Sequence, residues 1–98
     1  FVIAPMVLID NKASNRFTVI EVNARDRPAL LNRLAFALFE QKLIVHSAHI
    51  ATYGERAVDT FYVTDLLGAK IDTRTRLRGI EKRLLAAASG DAETREAA

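Results

Sequence analysis

Phe17-Thr18-Val19-Ile20-Glu21-Val22-Asn23, then Ala24-Arg25-Asp26-Arg27-Pro28-Ala29, then Leu30-Leu31-Asn32-Arg33-Leu34-Ala35-Phe36-Ala37-Leu38: within this stretch the apolar period changes once. The first part is β-branched and partly alternating, the habit of a strand. The last part sets Leu30, Leu31, Leu34, Ala35 and Leu38 three and four apart, which makes one stripe on a helix. Between them Arg25-Asp26-Arg27-Pro28 stops the strand. Proline suits a first helical turn, where its missing N–H costs nothing, and Asp26 is placed to cap that turn. The expectation is a strand over about 17–23 and a helix over about 28–41.

Upstream, Met6-Val7-Leu8-Ile9 is a short apolar run. It is followed by the turn formers Asp10-Asn11-Lys12-Ala13-Ser14-Asn15, so a strand at about 6–10 should hairpin onto 17–23. Downstream, two β-rich stretches flank Gly54-Glu55 and predict a second hairpin, with strands at about 44–53 and 57–66. Asp72 or Thr73 can cap a last helix over about 73–87, with the stripe Leu77, Ile80, Leu84 and Leu85. The order is ββαββα. Two helices must then cover one face of a four-stranded antiparallel or mixed sheet, an α+β arrangement. Strand 17–23, helix and strands 44–53 and 57–66 match the ferredoxin-like split βαβ pattern. No strand follows the last helix, so 6–10 takes the place of the usual final strand. The predicted sheet order is 6–10, 17–23, 57–66, 44–53. Both sheet faces carry apolar side chains: in strand 17–23 Phe17 and Val19 lie on one face and Ile20 and Val22 nearer the other, and in strand 57–66 Val58 and Tyr62 face one way and Phe61 and Val63 the other. Helices cover only one face, so the other calls for a partner.

With 98 residues, half of them hydrophobic and 27% charged, the chain reads as one domain over about 1–88 with a flexible tail, 89–98. It begins at Phe1, which suggests a piece of a longer protein, and no leader pattern is apparent. No apolar run reaches the roughly 18–20 residues of a membrane span. The absence of cysteine removes disulfides, thiolate zinc sites and a cysteine nucleophile, and fits a reducing, cytoplasmic setting. The net charge is +2, unevenly spread. Residues 70–83 hold six basic side chains (Lys70, Arg74, Arg76, Arg78, Lys82 and Arg83) against two acidic ones. With no aromatic stacking set beside them, a solvated helix face is the better reading than a nucleic-acid surface.

Little in the chain suggests catalysis. His46 and His49, three apart on a strand, should face opposite ways and cannot chelate one metal as a pair. Ser47 shares a face with His49, about 6–7 Å along the strand, a weak signal of a nucleophile and base; a polar strand face meeting a partner or ligand is the better reading. Asp59 and Asp65 are about 20 Å apart along a strand, too far for a paired-carboxylate site. No glycine-rich phosphate loop occurs. What remains is the loop 23–29, where two arginines flank the N–H groups of a helix start, a place that favours a small anion.

The run Val22-Asn23-Ala24-Arg25-Asp26-Arg27-Pro28-Ala29-Leu30-Leu31 resembles the D-R-P-G-L-L signature of ACT domains, small regulatory modules that bind amino acids. The likeness continues through Ser47-Ala48-His49-Ile50-Ala51-Thr52-Tyr53-Gly54-Glu55-Arg56-Ala57-Val58-Asp59 and Phe61-Tyr62-Val63-Thr64-Asp65. In these strings the chain is similar to the C-terminal ACT domains of bacterial protein-PII uridylyltransferases, the bifunctional uridylyltransferase and uridylyl-removing enzymes. The resemblance implies a non-catalytic, cofactor-free domain of a nucleotidyltransferase whose catalytic domains, where Mg2+ is expected, lie elsewhere. It implies L-glutamine as effector and control of uridylylation and deuridylylation of the PII nitrogen-signalling protein. The implied partners are a second ACT unit, tandem or in a dimer, and PII through the parent; nucleic acid and membrane are not among them. The implied ligand site is Asn23, Ala24, Arg25, Asp26, Arg27, Pro28, Ala29, Leu30 and Leu31. His46, Ser47, Ala48, His49 and Ile50 are candidates for the side offered by a neighbouring unit. The family's glycine after D-R-P is Ala29 here, expected to be the better helix former at that position. A dimerisation module without a ligand is the alternative.

Overall fold

In the computed structural model, which describes residues 3–89, six elements follow one another. They are β1 (Met6–Asp10), β2 (Thr18–Arg25), α1 (Leu30–Glu40), β3 (Ile44–Tyr53), β4 (Arg56–Thr64) and α2 (Arg74–Ala88). The sheet order is β1-β2-β4-β3, as the sequence predicts, and every pairing is antiparallel. Together with the two helices this is the ferredoxin-like α+β fold.

The register explains which strand residues are inward. Ile20 pairs with Phe61, Val22 with Asp59 and Ala24 with Ala57. These positions are buried beneath the helices, while the alternate residues Val19, Glu21, Val58, Thr60 and Tyr62 are only half-buried. Leu34, Ala37 and Leu38 of α1 meet Ile80, Leu84, Ala87 and Ala88 of α2 in the same core. Burying one such aliphatic side chain is worth about 1.5–3 kcal/mol, so this seam supplies much of the drive to fold.

A buried polar network pins the first hairpin to the approach to α2. Thr18 Oγ1 donates to Asn11 Oδ1 (2.6 Å), and Asn11 Nδ2 donates to the Ile71 carbonyl (2.6 Å). The Ile71 N–H donates back to Thr18 Oγ1 (3.0 Å). Asn11, a turn former in the sequence reading, is therefore a tertiary clamp as well.

Several expected boundaries shift. Helix α1 begins at Leu30 rather than Pro28, and β4 ends at Thr64 rather than Leu66. Asp65 instead closes a turn in which its Oδ1 accepts the N–H groups of Leu67 (2.8 Å) and Ala69 (2.9 Å). Of the expected α1 stripe, Leu31 and Ala35 are exposed and Ala37 takes the inward place. Thr73 holds the N-cap position of α2 but makes no side-chain cap bond. Apart from Ser89, the expected tail lies outside the described residues.

Candidate functional site

The decisive local feature is the turn between β2 and α1. The Leu30 N–H donates to the Arg27 carbonyl (3.2 Å), and Ala29 sits at φ 66°, ψ 5°. This is a type II turn, with Pro28 at its second position and Ala29 at the third, where a positive φ is required and glycine is preferred. Two expectations are thereby corrected. The N-cap is Ala29, with no side-chain cap bond, so Asp26 does not cap α1. Its own N–H donates instead to the Glu55 carbonyl (2.7 Å), tying this loop to the β3–β4 turn. Ala29 also gains nothing from helix propensity, because it lies outside the helix in a conformation that costs an L-residue roughly 1–2 kcal/mol.

The turn leaves α1 open at its start. Backbone bonds of the turn take the N–H groups of Leu30 and Arg33. Among the described residues, no such bond takes those of Leu31 and Asn32, two of the donors that a helix start leaves over. A cavity of about 200 Å³ lies against them. It is lined by Asp26, Arg27, Ala29, Leu30, Leu31 and Asn32 from the loop and helix, Ile50 and Thr52 from β3, and Ala57 and Asp59 from β4. That size suits a small metabolite; drug-sized ligand sites run to roughly 300–1,000 Å³.

Asp59 makes this cavity unusual. It is only 2% exposed, and its Oδ1 is buried without a hydrogen-bond partner. Burial drives its carboxyl above the ordinary value, the Ala51 N–H opposes that, and the nearby Asp26 carboxylate adds to it. A buried carboxylate oxygen left unpaired costs the fold its full desolvation.

Of the expected ligand residues, Asp26, Arg27, Ala29, Leu30 and Leu31 line the cavity. Asn23, Ala24, Arg25 and Pro28 do not. Asn23 Nδ2 donates to Glu21 Oε2 (2.7 Å). Ala24 is in the core, and Arg25 makes an exposed pair with Glu55 at 3.5 Å. Ile50 lines the cavity from its own chain. Ala48 is an exposed β3 residue paired with Phe61, and Ser47 and His49 pair with Tyr62 and Thr60, so both lie on the open face. His46 corrects the parity argument. It falls in a β-bulge between Val45 and Ser47, and its ring sits 4.9 Å from Phe17 with Nε2 2.8 Å from Thr64 Oγ1. One extra residue thus brings it in among residues of the same open face as His49. Sequence reasoning passed over Asn32, Thr52, Ala57 and Asp59 as site residues. The parity of Asp59 with Phe61 and Val63, a carboxylate at an inward position, was the available signal.

Elsewhere several charged groups are taken up by the fold. A wider hollow of about 490 Å³ lies at the other end of α1, between Gln41, Lys42 and the Asp65 turn. There Arg76 donates to the carbonyls of Gln41 (3.1 Å) and Lys42 (3.3 Å), and Arg83 pairs with Glu40. Lys70 donates to the Asn11 carbonyl (2.7 Å). Half of the basic 70–83 segment is therefore structural, and Arg74, Arg78 and Lys82 remain as an exposed helix face. Among the described residues no three histidine or acidic side chains cluster to hold a metal, and no helix is long and apolar enough to cross a membrane.

Comparison with known proteins agrees with this architecture. The model of the ACR family N-terminal ACT domain matches residues 13–91. The bifunctional uridylyltransferase/uridylyl-removing enzyme of Novosphingobium aromaticivorans is 71% identical over 98 residues, all of this chain and 11% of that protein. The enzymes of the same name from Zymomonas mobilis and Bradyrhizobium diazoefficiens are 67% and 51% identical, over 90% and 100% of the chain. The chain thus spans about a tenth of the length of these relatives. A crystal structure of an unknown protein from Galdieria sulphuraria shares the fold, with a TM-score of 0.54 and 21% identity over 67% of this chain and 37% of its own. The chain belongs to the ACR-family ACT domains, as a regulatory domain of the kind carried by the bifunctional uridylyltransferase/uridylyl-removing enzymes.

Proposed function

We propose that this domain, about residues 1–88, senses a free amino acid, L-glutamine, and so sets the balance between uridylylation and deuridylylation of the PII protein by the cytoplasmic enzyme that carries it. The observation that carries this reading is the cavity at the open start of α1. Unused N–H groups of Leu31 and Asn32, with the half-buried Arg27 beside them, offer a carboxylate its complement. The volume admits a small metabolite rather than a nucleotide or a peptide. A ligand moves an equilibrium only through its different affinity for two states. The β3 edge and the open sheet face supply a place where a second ACT unit can pack differently with and without ligand. Ile44, Val45, Ile50 and Tyr53 are exposed on β3, and Met6 and Leu8 on β1.

Titration calorimetry of the intact enzyme tests the reading, with L-glutamate, L-asparagine and D-glutamine as controls. Selective L-glutamine binding is expected, weakened about tenfold by Arg27→Ala through loss of one charge-assisted contact. The same concentration range should shift the ratio of transfer to removal. The exposed β3 edge favours a second reading, a dimerisation unit without a ligand. An enzyme that binds no amino acid, yet dissociates when β3 is altered, establishes that reading instead.

A further inference from the structure

Asp59 is a buried group whose Oδ1 neither the fold nor the amino-acid reading so far uses. It sits on β4, paired with Val22 on one side and Ile50 on the other, in the row that also carries Ala57, Phe61 and Val63. Every other member of that row is apolar. A hydrophobic residue there would extend the core, and an asparagine could serve the Ala51 N–H without carrying a charge. The chain instead places a carboxylate whose Oδ1 has no partner in the lining of a cavity that also holds helix N–H donors left over by the turn.

We propose that Asp59 is the specificity residue for the ligand's primary ammonium group, so that each chain holds both poles of a zwitterion. The carboxylate of the ligand lies toward the N–H groups of Leu31 and Asn32, and the ammonium lies toward Asp59. This deepens the amino-acid reading and rests on it. The arrangement explains why a carboxylate with one unpaired oxygen is kept: the partner that oxygen lacks arrives with the ligand. It also assigns roles to the two acidic residues near the cavity. Asp26 is exposed at the rim and its like charge makes Asp59 still more in need of a cation; Asp59 at the floor receives it. Small acids without an ammonium group leave the Asp59 oxygen buried and unpaired, and are discriminated against on that ground.

The experiment uses the intact enzyme and two probes, L-glutamine and its des-amino analogue 4-carbamoylbutanoate. With the wild-type enzyme, the analogue should compete at least about tenfold less well than L-glutamine. Asp59→Asn should remove one L-glutamine site per chain or weaken it by at least about tenfold, while the melting temperature holds or rises because a buried unpaired charge is gone. If the analogue competes as well as L-glutamine, or if Asp59→Asn binds L-glutamine unchanged, the assignment of Asp59 is overturned and the sensor reading survives. If the wild-type enzyme binds no L-glutamine at all, both are overturned. Should Asp59→Asn melt lower, the competition on the wild-type enzyme alone decides.

Discussion

The C-terminal end of α1 closes on itself, and the N-terminal end does not. At the C-terminal end Lys42 adopts φ 60°, its N–H reaches the Phe39 carbonyl (3.0 Å), and the Leu43 N–H reaches that of Leu38 (3.2 Å). This is a Schellman turn, which satisfies the last carbonyls, and Arg76 takes those of Gln41 and Lys42. At the N-terminal end Ala29 adopts an equally left-handed φ, yet no side chain caps the helix, and two N–H groups left over by the turn lie at a cavity whose lining includes a buried carboxylate with one oxygen unpartnered. Both ends carry the strain of a non-glycine residue at positive φ. Only one converts it into closed hydrogen bonding. The difference teaches where binding resides: groups left unsatisfied by the fold are the ones free to recognise something else.

Substitutions can sharpen or break this contrast. The largest effect is expected at the closed end, where Leu38→Ala should destabilise by about 2–5 kcal/mol in denaturant titration. Leu31→Ala, at a residue 44% exposed beside the cavity, should cost less than about 0.5 kcal/mol. Comparable losses at the two positions would dissolve the distinction. Next, Asp59→Asn should stabilise by about 1 kcal/mol at pH 7. Its pH dependence has a definite sign. The carboxyl is raised in the folded state, so wild-type stability should increase as the pH falls through the folded value toward the unfolded one, and Asp59→Asn should flatten that rise. Arg76→Ala should cost about 1 kcal/mol by releasing two carbonyls of the closed end. Ala29→Gly and Lys42→Gly should each gain about 0.5–1 kcal/mol, read as raised melting temperatures, because both relieve the same left-handed strain. A gain at one position and a loss at the other would show that the two turns are not alike in strain. The smallest effect is at Asp65, beside the closed end, whose carboxyl is lowered chiefly by the Ala69 N–H. Its stabilising share is present above the unfolded value and lost as pH falls through the folded one, opposite in sign to Asp59.

Much of this was readable before any coordinates. The β-branched alternation of Thr18–Val22 and of Phe61–Val63, with the Gly54 turn, sufficed for strands, hairpins and sheet order. The loop 23–29 was legible as an anion-binding candidate because a helix start leaves N–H donors whatever its cap. Its detail was misjudged because Pro28 suits both a first helical turn and the second position of a type II turn, and only the φ of Ala29 separates them. The stagger of β3 was hidden because a bulge adds a residue without changing composition, which moved His46 out of its expected row.

The sequence by itself determined the order of elements, which residues share a face of each central strand and the place where a helix would present its first N–H groups. These depend on local period and on residues within a few positions of one another. Only the tertiary structure decided which of those N–H groups remained free, where β3 slipped and what lay beneath the loop. Asp59 reaches the cavity through β-ladder register with Val22 and Ile50, contacts remote in sequence, and the lack of a partner for its Oδ1 is a property of everything packed around it.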